Sequence, residues 1–120
     1  MAERYAFRKT ILYDLGIEYV DALYRLTERL STKTPESLRT QIIEAATHIL
    51  VNIAGKSSGK TDIEHSFLVD GCRMSLFETI ACLDIAERLR YARRSDLKKV
   101  RSKADRLLDK LDSMKKALNH

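Results

Sequence analysis

The 120-residue sequence has few of the residues that interrupt regular structure. It contains one proline, four glycines, two cysteines and no tryptophan. Apolar residues make up 44% of the chain and charged residues 32%, a balance that favours a helical bundle over other fold classes. At this length we expect a single domain over residues 1–120, with a modest core of its own.

Long apolar runs are also missing. No stretch approaches the roughly 20 residues that a membrane-spanning helix needs, and the amino terminus has no apolar signal segment. Cys72 and Cys82 lie on one predicted helix, about 15 Å apart along its axis, which is too far for a disulfide. We therefore expect a cytoplasmic protein with reduced thiols and no membrane partner.

Hydrophobic periodicity predicts four helices, at about residues 9–31, 35–54, 62–91 and 96–118. The apolar face of the first consists of Leu12, Leu15, Tyr19, Leu23, Leu26 and Leu30. The fourth has a heptad seam of Leu97, Val100, Ala104, Leu107, Leu111, Met114 and Leu118. Because the breaks between helices are short, the sequence predicts an all-α fold, an antiparallel up-down-up-down four-helix bundle.

Finer features of these helices can also be predicted. Thr34 with Pro35, Thr61 with Glu64, and Ser95 are the expected caps of helices two, three and four. Gly16 and Gly71 indicate close helix contacts, where a side chain would not fit. The predicted buried side chains of helix three include Phe67, Met74, Phe77, Ala81 and Ile85.

Residues 54–61 read AGKSSGKT, which fits a loosened phosphate-loop pattern. A working phosphate loop follows a buried strand, whereas the apolar residues before Ala54 have helix periodicity. No later strand offers an acidic residue that could hold magnesium. We therefore interpret this segment as the turn between helices two and three, and Gly59-Lys60-Thr61 as residues with a structural role at the start of helix three.

Charge is concentrated at the carboxyl end of the chain. Residues 1–87 carry a net charge of −3 and residues 88–120 a net charge of +8. Lys99, Lys103, Arg106 and Lys110 form a basic stripe beside the core seam of helix four, and a polyanion is the partner that such a stripe would attract. The candidate nucleic-acid-binding residues are Arg93, Arg94, Lys98, Lys99, Arg101, Lys103 and Arg106.

A less specific interpretation of these cations is a solvated or oligomer-contact face. It would be partly neutralised by pairs of Arg101 with Asp105 and of Arg106 with Asp109. Both interpretations remain open at the level of the sequence.

Catalytic and metal-binding patterns are weak. His48, His65 and His120 have no partner at helical spacing that would make a metal site, and Ser57 and Ser58 belong to no recognisable triad. Glu78 lies between apolar neighbours and is predicted to be a buried or interface carboxylate. We expect no catalytic residues, no cofactor and no bound metal.

Two segments carry a family resemblance. In helix two the matching residues are Gln41-Ile42, Ala45-Ala46, Ile49 and Asn52-Ile53-Ala54. In helix three they are Ser75-Leu76, Glu78, Leu83, Ile85-Ala86, Arg88-Leu89 and Tyr91. With the four-helix layout, they resemble the four-helix-bundle family encoded in intervening sequences of bacterial large-subunit ribosomal RNA genes. Gly55-Lys56 replaces the Glu-Gly that usually follows in this family. The run Ala54-Gly-Lys-Ser57 resembles a related branch, the accessory proteins of diversity-generating retroelements.

The resemblance implies a ring-like homo-oligomer, often a pentamer, without known catalysis. The leading hypothesis is a non-enzymatic scaffold that self-assembles and binds structured RNA through its basic face. The alternative is an accessory subunit that docks onto a reverse transcriptase and its RNA.

Overall fold

The structure, a computed structural model, describes residues 4–118. This part of the chain has a short 3-10 turn at Ala6–Lys9 and four α-helices. They are α1 (Ile11–Arg29), α2 (Glu36–Lys56), α3 (Asp62–Arg88) and α4 (Arg94–Leu118). The all-α, four-helix prediction is confirmed, with no strand between residues 4 and 118 and helix ends that differ from the predicted ones by a few residues.

Each helix packs against its two neighbours in the cyclic order α1, α2, α3, α4. Residue pairings show that the neighbours run antiparallel. Asp70 of α3 makes an ion pair with Lys115 of α4, and Asp84 of α3 makes one with Arg101 of α4. Residue numbers therefore increase along α3 in the direction in which they decrease along α4. Helices α1 and α3 therefore lie diagonally opposite each other, and so do α2 and α4. None of the helices within residues 4–118 has the length and apolar content needed to cross a membrane.

The core is formed by the faces that the four helices turn inward. The predicted faces of α1 and α4 are confirmed, with Leu15, Met114 and Leu118 only partly buried. Two glycines allow close approach, as predicted. A Cβ atom on Gly16 would lie 3.0 Å from the Ile53 side chain, and one on Gly71 would lie 3.0 Å from the Asn52 side chain.

Helix α3 differs from the prediction. Phe67, Met74, Phe77, Ala81 and Ile85, which were predicted to be buried, are all exposed. The buried residues of α3 are Leu68, Val69, Cys72, Ser75, Leu76, Thr79, Cys82, Leu83 and Ala86. Helix α3 has apolar residues on two faces, and hydrophobic periodicity does not tell which of them is buried. Packing against α2 and α4 buries the face of Leu68 and Cys72 and leaves the predicted face exposed.

The start of α2 also differs. Pro35 occupies the N-cap position, and the buried Thr34 hydroxyl has no hydrogen-bond partner among the described residues, so the predicted Thr34 cap is wrong. Arg39 instead ties α2 to the end of α1. Its guanidinium donates to the backbone carbonyls of Thr27, Leu30 and Ser31. A cation at a helix carboxyl end satisfies carbonyls that would otherwise lack donors.

The connection from α3 to α4 is a tight turn. Arg90 has a φ of 63°, a left-handed conformation that stops α3. At the start of α4 the predicted Ser95 cap is wrong, because it is Asp96 whose carboxylate accepts the Arg93 N–H at 3.0 Å. This hydrogen bond holds the pKa of Asp96 below its ordinary value.

Candidate nucleic-acid interface

The orientation of α4 decides where its cations lie. Leu97, Val100, Ala104, Leu107 and Leu111 are buried, which fixes the rotation of the helix about its axis. With that rotation, Lys99, Lys103 and Arg106 follow the edge of α4 that faces α1.

A narrow groove of about 180 Å³ lies between α1 and α4. Its lining contains four cationic side chains, Arg25 and Arg29 from α1 and Lys99 and Lys103 from α4. Its single carboxylate, Asp21, is bound by the Arg25 guanidinium at 3.1 Å. The groove, called the basic groove below, therefore holds a local excess of positive charge.

Half of the basic groove was missed by the sequence analysis. Arg25 and Arg29 lie in a stretch of α1 that also carries Asp21 and Glu28, so local charge counting gives no excess there. Their spacing of four residues does place them on one side of the helix. Only the packing of α1 against α4 brings that side next to Lys99 and Lys103.

The α3–α4 turn adds further cations at one end of the bundle. The side chains of Arg93 and Arg94 are 85% and 90% exposed, and they make ion pairs with Asp96 at 3.4 Å and Glu87 at 3.6 Å. Pairs this exposed contribute little to stability, so both guanidinium groups remain accessible to another anion. Lys98 is exposed on the first turns of α4.

The turn lies close to the end of α1. The backbone N–H of Ser31 donates to the Tyr91 carbonyl at 2.8 Å, which joins the α1–α2 and α3–α4 connections. The cations of the turn and those of the basic groove therefore belong to the same end of the molecule.

Arg101 and Arg106 have different partners from those predicted. Arg101 faces α3 rather than α1, its side chain is 31% exposed, and it binds Asp84 at 3.0 Å and Glu87 at 3.2 Å. Its charge is thus matched by two carboxylates, and its evident role is to join α3 to α4. Arg106 lies 3.8 Å from Glu18 of α1. The predicted pairs with Asp105 and Asp109 are wrong.

The AGKSSGKT segment forms the predicted turn. Helix α2 continues through Lys56, so a helix and not a strand leads into it. Thr61 Oγ1 accepts the Glu64 N–H at 3.1 Å, and the Glu64 carboxylate accepts the Lys60 N–H at 2.6 Å. Because the carboxylate of Glu64 already occupies a backbone donor that a phosphate loop would offer to phosphate, the geometry does not fit a nucleotide site.

The remaining candidate groups do not assemble into a reactive site. Burial raises the pKa of the Cys72 thiol to about 11 and also raises that of Cys82, so neither is an activated nucleophile. His48 and Glu78 are both exposed. The prediction that Glu78 is buried within the chain is therefore wrong. Within residues 4–118, no three His, Cys, Asp or Glu side chains come close enough together to hold a metal ion. His120 lies outside the described residues.

Comparison with curated proteins gives no match. Comparison with protein families matches residues 8–113 to the 23S rRNA-intervening sequence protein family, a range that includes α1, α2, α3 and most of α4. The match extends over most of the chain, and on this basis the protein belongs to the 23S rRNA-intervening sequence protein family.

Proposed function

We propose that the protein is a non-enzymatic helical scaffold that self-assembles and binds structured RNA through its basic groove. The observation that carries the proposal is the convergence of Arg25, Arg29, Lys99 and Lys103 on one groove that contains a single carboxylate. The family name, which refers to an intervening sequence in ribosomal RNA, supports RNA as the polyanion.

The physical basis of this binding is counterion release. Four cations close together attract phosphates, and each phosphate that they neutralise releases condensed counterions into solution. The affinity should therefore fall steeply with salt and depend little on base sequence. Arg93, Arg94 and Lys98 extend the proposed contact toward the α3–α4 turn. Arg106 lies farther along the same edge of α4, whereas Arg101 would contribute through the position of α4 and not through RNA contact.

The test is a titration of a fluorescent RNA hairpin at several salt concentrations. For the unmodified protein we expect the logarithm of the affinity to fall with the logarithm of salt concentration, with a slope of roughly −3 to −4 if four phosphates are neutralised. The double variant Lys99→Glu with Lys103→Glu should bind at least about tenfold more weakly, with a slope smaller by about 2.

A matched control keeps the overall charge change the same. Lys60→Glu with Lys116→Glu alters two exposed lysines outside the groove and should bind RNA nearly as well as the unmodified protein. Equal losses in the two double variants would show that net charge matters and not the groove. An affinity that does not change with salt would contradict the proposal altogether.

Docking onto a reverse transcriptase stays a prediction from the family resemblance. A reverse transcriptase gene beside the gene for this chain would favour it, whereas a ribosomal RNA gene would favour the proposal above. The ring-like pentamer likewise stays a prediction.

A further inference from the structure

One end of the bundle contains a cavity that the proposed function does not use. Helices α1 and α3 begin at this end and helices α2 and α4 finish there, so it lies opposite the α3–α4 turn. The cavity, called the end cavity below, has a volume of about 400 Å³ and is lined by residues of all four helices. Its volume falls within the range of small-molecule sites in proteins, roughly 300–1,000 Å³.

Most of the lining of the end cavity is apolar. Leu12, Ile53 and Leu68 are buried core residues that also line it, and the half-buried Met114 and Leu118 of α4 complete the apolar part. An alkyl group that entered the cavity would remove this surface from water, which favours binding in proportion to the apolar area covered.

One cation accompanies the apolar lining. Lys110 is half-buried and makes no ion pair with any described residue. Its neighbours on α4 are paired, Arg106 with Glu18 and Lys115 with Asp70. None of the described residues that line the end cavity is acidic. A half-buried ammonium group beside an apolar cavity without a carboxylate favours the binding of an anion.

The other polar side chains of the lining are less suited to an anion. The Thr10 hydroxyl donates to the Phe7 carbonyl at 2.8 Å and accepts the Tyr13 N–H at 3.1 Å, so it is already engaged. Ser57 and His65 are half-buried and can donate hydrogen bonds, but neither carries a permanent charge. Lys110 is therefore the group that would select a charged ligand.

We propose that the end cavity binds a medium-chain fatty acid, with the alkyl chain against the apolar lining and the carboxylate paired with Lys110. This inference goes beyond the RNA binding proposed above and does not depend on it. A methylene group takes up about as much room as a water molecule, roughly 30 Å³, so the cavity holds on the order of a dozen heavy atoms. Decanoate has this size. Lys110 and Leu118 lie about 12 Å apart along the axis of α4, which is close to the length of the extended decanoate chain.

The test is a calorimetric titration of the purified chain with sodium decanoate below its micelle-forming concentration. We expect saturable binding of one decanoate per chain. Decanol has the same alkyl chain without the charge and should bind roughly tenfold more weakly, because a hydrogen bond between charged groups is lost. Octanoate should bind up to roughly fifteenfold more weakly than decanoate, since each methylene group contributes up to about fourfold in affinity.

Two variants locate the site. Lys110→Gln should lower the affinity for decanoate roughly tenfold and that for decanol less than about twofold, because only the carboxylate uses the charge. Ala117→Phe should weaken both ligands at least about tenfold, because the ring takes the room of several methylene groups in the cavity. Ala117 is exposed near the end of α4, so circular dichroism should show an unchanged helix content.

Lys116→Gln is the matched control for Lys110→Gln. It removes the same charge from an exposed position of α4 outside the lining and should leave the affinity for decanoate unchanged.

Each outcome supports or overturns a defined part of the inference. A titration without saturable decanoate binding would overturn all of it. Equal affinities for decanoate and decanol, or equal losses in Lys110→Gln and Lys116→Gln, would overturn the pairing with Lys110. Full affinity in Ala117→Phe would place the ligand outside the end cavity. RNA binding is judged separately by the hairpin titration, so either proposal can fail without the other.

Discussion

At the scale of single residues, a buried chain of hydroxyl groups links α1 to α3. Thr79 Oγ1 donates to the Leu76 carbonyl at 2.5 Å, so it must accept the proton of the Tyr19 hydroxyl, 2.7 Å away. Tyr19 and Thr79 are both fully buried. A hydroxyl in such a place depends on its partner, because water cannot replace it.

The substitution Thr79→Val should therefore be costly. It removes the acceptor and leaves the Tyr19 hydroxyl buried without a partner, and we expect the free energy of unfolding to fall by roughly 1–3 kcal/mol. Urea denaturation followed by circular dichroism would measure it.

A similar pair at the surface provides the control for Thr79→Val. Tyr24 and Thr47 make a hydroxyl contact of 2.6 Å, but Tyr24 is 41% exposed. Thr47→Val should change the free energy of unfolding by less than about 0.5 kcal/mol. Equal effects at the two sites would contradict the importance of burial.

Ionisation of the same core should limit stability in alkali. Burial raises the pKa of Tyr19 from 10.0 to about 12 and that of Cys72 from 9.0 to about 11. Because the folded state holds these protons more tightly than the unfolded state, the resulting stability is complete below about pH 9 and is lost as the pH rises toward 12. For Tyr19 alone, the loss in the free energy of unfolding amounts to at most roughly 3 kcal/mol.

The measurement is urea denaturation at a series of pH values from 8 to 12. Tyr19→Phe should weaken the loss of stability between pH 10 and 12, since phenylalanine has no proton to lose. Tyr24→Phe, at the exposed site, serves as the control and should retain the full loss. An unchanged alkaline profile in Tyr19→Phe would assign the loss to other groups.

At the scale of the elements, helix ends are determined by short-range chemistry. The cap of α3 was predicted correctly because Thr61 and Glu64 act within a single turn. The cap of α2 was predicted wrongly because Thr34 is buried by the tertiary structure and Arg39 reaches across to α1. At α2 the local pattern failed because another helix interferes, whereas at α4 it missed by one position, since Asp96 and not Ser95 bonds the backbone.

The AGKSSGKT turn allows a direct comparison of its two interpretations. If Thr61 is a cap, Thr61→Ala should lower the free energy of unfolding by about 1 kcal/mol. Lys60→Ala should change it by less than about 0.5 kcal/mol, because Lys60 is exposed and only its backbone N–H is bound. Thermal or urea unfolding would separate the two variants. Saturable binding of ATP or GTP that Lys60→Ala abolishes would restore the phosphate-loop interpretation.

At the scale of the whole molecule, like charges accumulate where α1 meets α4. The four cations of the basic groove repel one another, and one carboxylate offsets them only in part. A polyanion that binds the folded chain should relieve this repulsion and shift the unfolding equilibrium toward the folded state.

Thermal unfolding with a short RNA duplex tests this expectation. At a hundredfold excess over Kd, we expect the melting temperature to rise by roughly 10 °C. The Lys99→Glu, Lys103→Glu variant should show a much smaller rise at the same RNA concentration. Equal rises in both proteins would place the RNA elsewhere on the surface.

The sequence by itself determined the four helices, most of their ends and the inward faces of α1 and α4. These features follow from the period of apolar residues, from turns and from heptad spacing, all of which act within a few residues of the chain. The basic character of α4 was visible for the same reason.

Only the tertiary structure decided which face of α3 is inside and which cations share a surface. Both depend on the rotation of a helix about its axis, and neighbouring helices fix that rotation. Because α1 packs beside α4, Arg25 and Arg29 line the basic groove. Because α3 packs on the other side of α4, Arg101 binds Asp84 and does not line the groove. The same packing left Phe67 and Met74 exposed, since α2 and α4 bury only one of the two apolar faces of α3.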